Sequence, residues 1–163
     1  MTADQVPEAT VSSAGIPPGF HAIHAGGPFI NGNGPLYLRR EGGAVTLGLR
    51  VEKRHCNPMN HLHGGMMASF CDMLLPLSAY RVGEQAEPRF LLTVSLQIDY
   101  IAGAPLGCWL EGSAEMLRST RTLVFMRGLV SADGTPCARV SGISRIGPPF
   151  PKTSDEFFNL VAR

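Results

Sequence analysis

One helix-length segment constrains this chain more than any other. From Gly64 the apolar residues Met66, Met67, Phe70, Met73, Leu74, Leu77 and Tyr80 recur at i, i+3, i+4 and i+7. That is the spacing of a helix with one wide apolar face. The pattern predicts a helix ending near Arg81-Val82-Gly83, with a kink or an early stop at Pro76. Proline lacks the N–H that the helix ladder needs and crowds the preceding turn. The other periodic segments have strand character. Leu36 to Arg40 and Ala44 to Val51 read as a hairpin turned by Glu41-Gly42-Gly43. Val94, Leu96, Ile98 and Tyr100 alternate with Thr93, Ser95, Gln97 and Asp99 at a period of two. Cys108 to Leu117, Thr122 to Ser131 and Cys137 to Ile146 read as three further strands. Arg118-Ser119-Thr120-Arg121 and Ala132-Asp133-Gly134 turn them, and Pro148, Pro149 and Pro151 stop the last. A single long helix among about six hairpin-connected strands must bury its apolar face on an antiparallel sheet, so the fold class is α+β.

The chain has 163 residues, the length of one domain. Residues 1–18 are polar and contain proline, and are expected to be disordered or loosely attached. Gly19 to Pro35 is glycine-rich and expected to be irregular, with Asn31-Gly32-Asn33-Gly34 as a turn. Its bulky Phe20, Phe29 and Ile30 suggest a loop that covers a surface; His21 and His24 receive no role. The domain itself is placed at 19–147. Residues 148–163 form a proline-rich stop and a short helix, opened by a capping box at Thr153-Ser154-Asp155-Glu156.

A formal net charge of +1 argues against nucleic acid as a partner. No apolar run reaches the length of a membrane span, so no membrane partner is expected. Met1 to Pro18 is unlike a signal peptide. The four cysteines form no paired motif, and Cys71 and Cys108 lie in apolar runs as small core residues. A reduced, cytoplasmic protein is the simplest expectation.

The chemistry concentrates around the helix start. Asp72 is the only charged side chain between His63 and Arg81. An acid in such company is costly unless it is paired, protonated or working. It is therefore either a structural hydrogen-bonder or a catalytic group. Gly64 and Gly65 open the helix, where N–H groups lack intrahelical partners and carry the positive end of the dipole. Either an oxyanion or an ordinary capping group can use them. His55, His61 and His63 with Cys56 raise the question of zinc. Their spacing lacks the pattern of known sites, so no metal is expected.

Asn57, His63-Gly64-Gly65 and Asp72 form the pattern N-x5-H-G-G-x6-D. With Leu92 to Tyr100 and Arg121 to Phe125, it resembles the phenylacetic-acid-degradation type (PaaI-like) of hotdog-fold acyl-CoA thioesterases, over Pro35 to Ile146. Two features bear on the match. Asn60 stands where relatives usually carry glycine, and asparagine is a residue that tolerates the left-handed backbone a glycine would supply. Thr93 stands where many relatives have Ser or Thr.

The resemblance implies a hotdog, a curved antiparallel sheet wrapped around the long central helix. It implies homodimers joined sheet edge to sheet edge, pairing again as dimers of dimers, with active sites at the subunit interface. The substrate would be an acyl-CoA with an aryl or short-to-medium acyl group. Coenzyme A belongs to that substrate, and no cofactor is implied. The backbone N–H of Gly64, or of its neighbour Gly65, would meet the thioester oxygen. Asn57 would give a second polar contact, and His63 would orient the turn. Asp72 would act as general base with Thr93 positioning the water, or would attack to form an anhydride. Met66, Met67, Phe70 and Met73 would line the acyl pocket unless they are simply core. Arg118 and Arg121 would hold the coenzyme A phosphates unless they are solvated turn residues. Two other functions share the fold: a non-catalytic acyl-CoA-binding domain and an acyl-CoA hydratase or dehydratase.

Overall fold

The structure, a computed structural model, describes residues 15–79 and 89–150. In chain order it runs β1 (His21–Ile23), α1 (Gly27–Asn33), β2 (Leu36–Glu41), β3 (Ala44–Arg50), a 3-10 turn (Lys53–His55) and α2 (Gly64–Ala79). The strands β4 (Arg89–Tyr100), β5 (Trp109–Ser119), β6 (Leu123–Ala132) and β7 (Thr135–Pro149) follow. All seven strands share one sheet in the order β1-β2-β3-β5-β6-β7-β4, and every neighbouring pair is antiparallel. This is the α+β arrangement that the helix and the alternating segments require.

Helix α2 presses Met67, Phe70, Cys71, Leu74, Leu75 and Leu77 into the sheet. Fully burying a side chain such as Phe70 or Leu74 stabilises by about 1.5–3 kcal/mol each relative to exposure. The helix packs chiefly on β5. There Gly112 makes room for it, because a Cβ at that position would lie 2.8 Å from Leu74 Cδ2 and 3.1 Å from Phe70 Cε1. A second, smaller cluster of Phe20, Tyr37 and Trp109 is separate from that core, with Ile16 packed against it.

Several expectations are corrected. The sheet has seven strands rather than six, because His21–Ile23 pairs with β2 at the register Ala22↔Tyr37. The stretch expected to be irregular contains α1, with Pro28 in its first turn and Asn33 Nδ2 donating to the Phe29 carbonyl at 2.9 Å. A side chain bonding back four residues draws Asn31-Gly32-Asn33 into a helical last turn. Pro76 neither ends α2 nor stops it early, since the helix continues to Ala79. Tertiary packing of Leu74, Leu75 and Leu77 outweighs the lost hydrogen bond. Strand β7 runs on through Pro148 to Pro149, opposite Arg89 at the end of the β4 ladder. Proline is tolerated at such a strand end. Ile16 packs against the second cluster rather than hanging loose, while residues 1–14 of that expected segment lie outside the described residues. The expected end of α2 and the capping box at Thr153 lie outside the described residues.

Candidate active site

The turn before α2 is built by side chains bonding to backbone. Asn57 Oδ1 accepts the N–H groups of Met59 at 2.9 Å and His61 at 3.2 Å. The Asn57 N–H donates to the His61 carbonyl at 2.8 Å, closing the loop on itself. Asn60 sits at φ 57, the left-handed conformation for which asparagine replaces glycine. Leu62 N–H then donates to Ala104 O at 2.7 Å, and His63 N–H donates to His55 O at 2.8 Å.

His55 anchors this turn from below. It is 1% exposed, and its Nδ1 accepts the Glu52 N–H at 3.0 Å. In that tautomer Nε2 carries the proton, and it has no hydrogen-bond partner among the described residues. Burial pushes the imidazole pKa down, and the neighbouring Arg54 charge pushes the same way.

The two glycines at the helix start are not equivalent. His63 caps the helix: its carbonyl accepts from Met66 N at 2.9 Å and Met67 N at 3.0 Å, and its Nδ1 accepts from Gly65 N at 2.9 Å. The Gly65 N–H is thus occupied. The Gly64 N–H has no partner among the described residues, while the Gly64 carbonyl accepts the Tyr100 hydroxyl at 2.9 Å. An N–H at a helix start with no acceptor can receive a developing negative charge.

Two turns along α2, Asp72 Oδ1 accepts a hydrogen bond from Thr93 Oγ1 at 2.7 Å. Thr93 reaches it because β4 is not a regular period-two strand. Thr93 pairs with Ser144, and Ser95 pairs with Ile143, so Val94 is an extra residue in a bulge. A bulge shifts the face on which side chains emerge. Beyond it Leu96 and Ile98 pack on the core; before it Leu91 does. Thr93 therefore shares the helix side with Leu91. A regular strand would have put it on the outer face with Ser95, Gln97 and Asp99. Asp72 itself is half-buried rather than enclosed. Its backbone carbonyl is four residues before Pro76 and so has no intrahelical donor.

Asp72 and Thr93 open into a cavity of about 840 Å³. Its apolar walls include Phe29, Ile30, Met73, Pro76, Phe90 and Leu92. His24 and Ser69 also line it. Of the side chains expected to hold an acyl group, Met73 lies here. Phe70 does not, because it is wholly buried against the sheet. Met66 packs against the core instead and is absent from this wall. Arg118 and Arg121 are exposed at the β5–β6 turn, away from Asp72. Arg121 lines a separate cavity of about 240 Å³ with Met116 and Ile146. A shallow groove on the outer face lies between the Asp99–Arg139 and Glu115–Arg127 ion pairs and contains none of these groups. His24, Phe29 and Ile30 were not assigned to the site from sequence. They reach it by a crossing of the chain that leaves no periodic signal.

The loop histidines bond to backbone at three different places: His55 to Glu52, His61 Nδ1 to Met59 O at 2.9 Å, and His63 to Gly65. No group of three metal-ligating side chains gathers among the described residues. Burial pushes the Cys71 thiol up to about 12 and Cys108 up to about 11, and raises Cys137 as well. These thiols stay protonated and inert. No helix among the described residues is long and apolar enough to cross a membrane.

The segment that holds Gly64, Asp72 and Thr93 is similar to known proteins. The Thioesterase superfamily model matches residues 59–138, from the Asn57 turn through α2 to the start of β7. Over those residues the chain is similar to the thioesterase superfamily. Two relatives and one structure illustrate the likeness. A Pseudomonas aeruginosa protein with a provisional esterase assignment is 25% identical over 129 residues, covering 78% of this chain and 95% of that protein. Human acyl-coenzyme A thioesterase 13 is 31% identical over 83 residues, covering 51% of this chain and 57% of that protein. The crystal structure of a phenylacetic acid degradation-related protein from Ralstonia eutropha superposes with a TM-score of 0.61 at 20% identity. The superposition covers 75% of this chain and 92% of that one. The seven-stranded sheet on its central helix is the hotdog fold of these thioesterases.

Proposed function

We propose that this protein is a thioesterase that hydrolyses an acyl-CoA thioester to the free acid and coenzyme A. The observation that carries the reading is the Thr93–Asp72 hydrogen bond at the mouth of an apolar cavity. A carboxylate held by a hydroxyl can take a proton from a water that attacks the thioester carbon. The Gly64 N–H receives the charge that develops on the carbonyl oxygen. His63 keeps that donor free by engaging Gly65 instead. Asn57 shapes the same turn. Thiolate is a good leaving group, so the reading calls for no metal or redox cofactor.

The two ends of this machinery are far apart in one chain. Gly64 and Asp72 are separated by eight residues of helix, roughly 12 Å at ~1.5 Å per residue. A water held on Asp72 does not reach a carbonyl held at Gly64 of the same helix. An antiparallel second copy related by a two-fold axis would bring its Asp72 to the first copy's Gly64. Strand β4 supports such pairing. It is an edge strand of 12 residues that exposes Phe90, Leu92, Val94 and Tyr100. A long apolar edge of this kind is a template for pairing with another chain. The proposed unit is a homodimer with composite sites.

The test is a panel of aryl- and alkyl-acyl-CoA esters, with thiol release followed by a chromogenic disulfide, for the natural chain and for Asp72→Asn. The natural chain turns over at least one ester, and the variant loses about 10²–10⁴ in kcat. Flat traces across the panel would instead support an acyl-CoA-binding domain. A fully active Asp72→Asn chain would make the carboxylate structural.

A further inference from the structure

We infer that residues 24–31, which cross from β1 into α1, form the acyl-selecting wall of the site, and that this wall fits an apolar acyl group much bulkier than acetyl. The inference rests on the thioesterase reading above and specifies its substrate class.

The cavity at Asp72 is lined mainly by apolar side chains with a few polar groups among them. Asp72 with its partner Thr93, Ser69, His24 and Asn31 are its polar lining, while Phe29, Ile30, Met73, Phe90 and Leu92 are among its apolar walls. At about 840 Å³ it lies within the range of cavities that enclose small-molecule ligands. A substrate with one polar reacting group and an apolar body matches that division. Acetyl would leave the far walls wet.

The wall is held at both ends. Gly26 has a left-handed φ of 83, and a Cβ there would lie 2.6 Å from Ile30 Cγ1 and 2.8 Å from Met73 Sδ. Glycine thus lets α1 seat directly on Met73, the residue after Asp72. At the other end Arg54 donates to the carbonyls of Gly32, at 3.1 Å, and Gly34. Glu52 holds Arg54 in turn at 2.9 Å. Segment 24–31 is therefore a fixed surface.

Phe29 is the side chain left over. It lies on a seated helix and lines the cavity, yet it is 66% exposed. A large ring facing a cavity with so little cover gains contact area when an apolar group enters. Ile30 fastens the helix, and Phe29 is offered to the ligand. In the composite site, the acyl group lies in the cavity of the chain that supplies Asp72.

The experiment compares coenzyme A with S-octyl coenzyme A, a thioether that cannot be hydrolysed, by titration calorimetry. It uses the natural chain, Phe29→Ala and Phe29→Leu. Phe29 is exposed, so neither substitution opens a cavity in the core. The natural chain binds the thioether at least about tenfold more tightly than coenzyme A. Phe29→Ala reduces that preference about tenfold, and Phe29→Leu restores most of it. The ratio of kcat/KM for octanoyl-CoA over acetyl-CoA falls in parallel. Equal affinities in the natural chain, or an unaltered preference in Phe29→Ala, overturn the inference. So does a lost preference accompanied by dissociation of the oligomer on size exclusion, which would make Phe29 a subunit contact. An intact thioether preference without turnover of any ester would overturn the hydrolase reading and leave the wall standing.

Discussion

His55 carries its consequences in a single side chain. It is enclosed, its Nδ1 is committed to the Glu52 N–H, and its carbonyl holds the His63 N–H at the helix start. Protonation would place a charge where burial opposes it, so the folded pKa lies below the ordinary 6.5. The unfolded chain then binds more protons in the window below 6.5, and stability rises with pH across that window. The contribution is fully present above about 6.5 and is lost as the pH falls towards the folded pKa. His55→Asn keeps an acceptor near Glu52 and cannot titrate. The urea midpoint of the natural chain should fall more between about pH 7.5 and about pH 5.5 than that of the variant. Parallel slopes would show that His55 is not a source of acid sensitivity. This residue also marks what the sequence can tell at its own scale. Asn60 was legible, because few residues tolerate a left-handed backbone. His55 was not, because burial depends on β3 and α1 closing around it and no local pattern announces that.

At the scale of elements, the strongest periodicities were legible and their interruptions were not. The apolar face of α2 and the alternation of Leu96, Ile98 and Tyr100 follow from positions three to four or two residues apart. The bulge at Val94 leaves no trace in hydrophobicity, since Val94 continues the alternation while its side chain is exposed. Its effect is large nonetheless: it rotates everything before it by one face and delivers Thr93 to Asp72. Helix α1 was hidden for a related reason. Its Gly- and Asn-rich composition reads as turn, while Gly26 against Met73, the Asn33 side chain on the Phe29 carbonyl, buried Ile30 and Arg54 against the Gly32 and Gly34 carbonyls hold it helical. The bulge can be tested directly. Deleting Val94 removes the extra residue, so Thr93 directly precedes the outward Ser95, stays on the helix side and keeps most of kcat, whereas Thr93→Val should lower kcat and Thr93→Ser should be mild. A Val94-deleted chain that folds but is no more active than Thr93→Val would mean that Val94 is not simply an extra residue and that the bulge positions the hydroxyl in another way.

At the scale of the whole molecule, the described chain holds all the proposed groups but not within reach of one another. Gly64 opens α2, Asp72 stands two turns on, and the exposed β4 edge runs beside both, through Tyr100 at one end and Thr93 at the other. In the proposed dimer, two antiparallel copies would turn this separation into two complete sites, each with Asn57 and Gly64 from one chain and Asp72 from the other. Genetic complementation reads that arrangement. Asn57→Ala chains and Asp72→Ala chains are each inactive as homodimers, because both sites carry one defect. Mixed under conditions that allow subunits to exchange, they form heterodimers in which one site holds both defects and the other holds neither. Random assortment makes about half of the dimers mixed, and one good site in each returns activity to about a quarter of the natural level. A site contained within one chain gives the opposite result, since every site in every dimer then keeps one defect. Mass spectrometry establishes exchange independently of activity. With exchange established and activity still at the level of the separate variants, the composite site is refuted, and the 12 Å between Gly64 and Asp72, roughly eight residues of helix rise, must be spanned by the substrate itself.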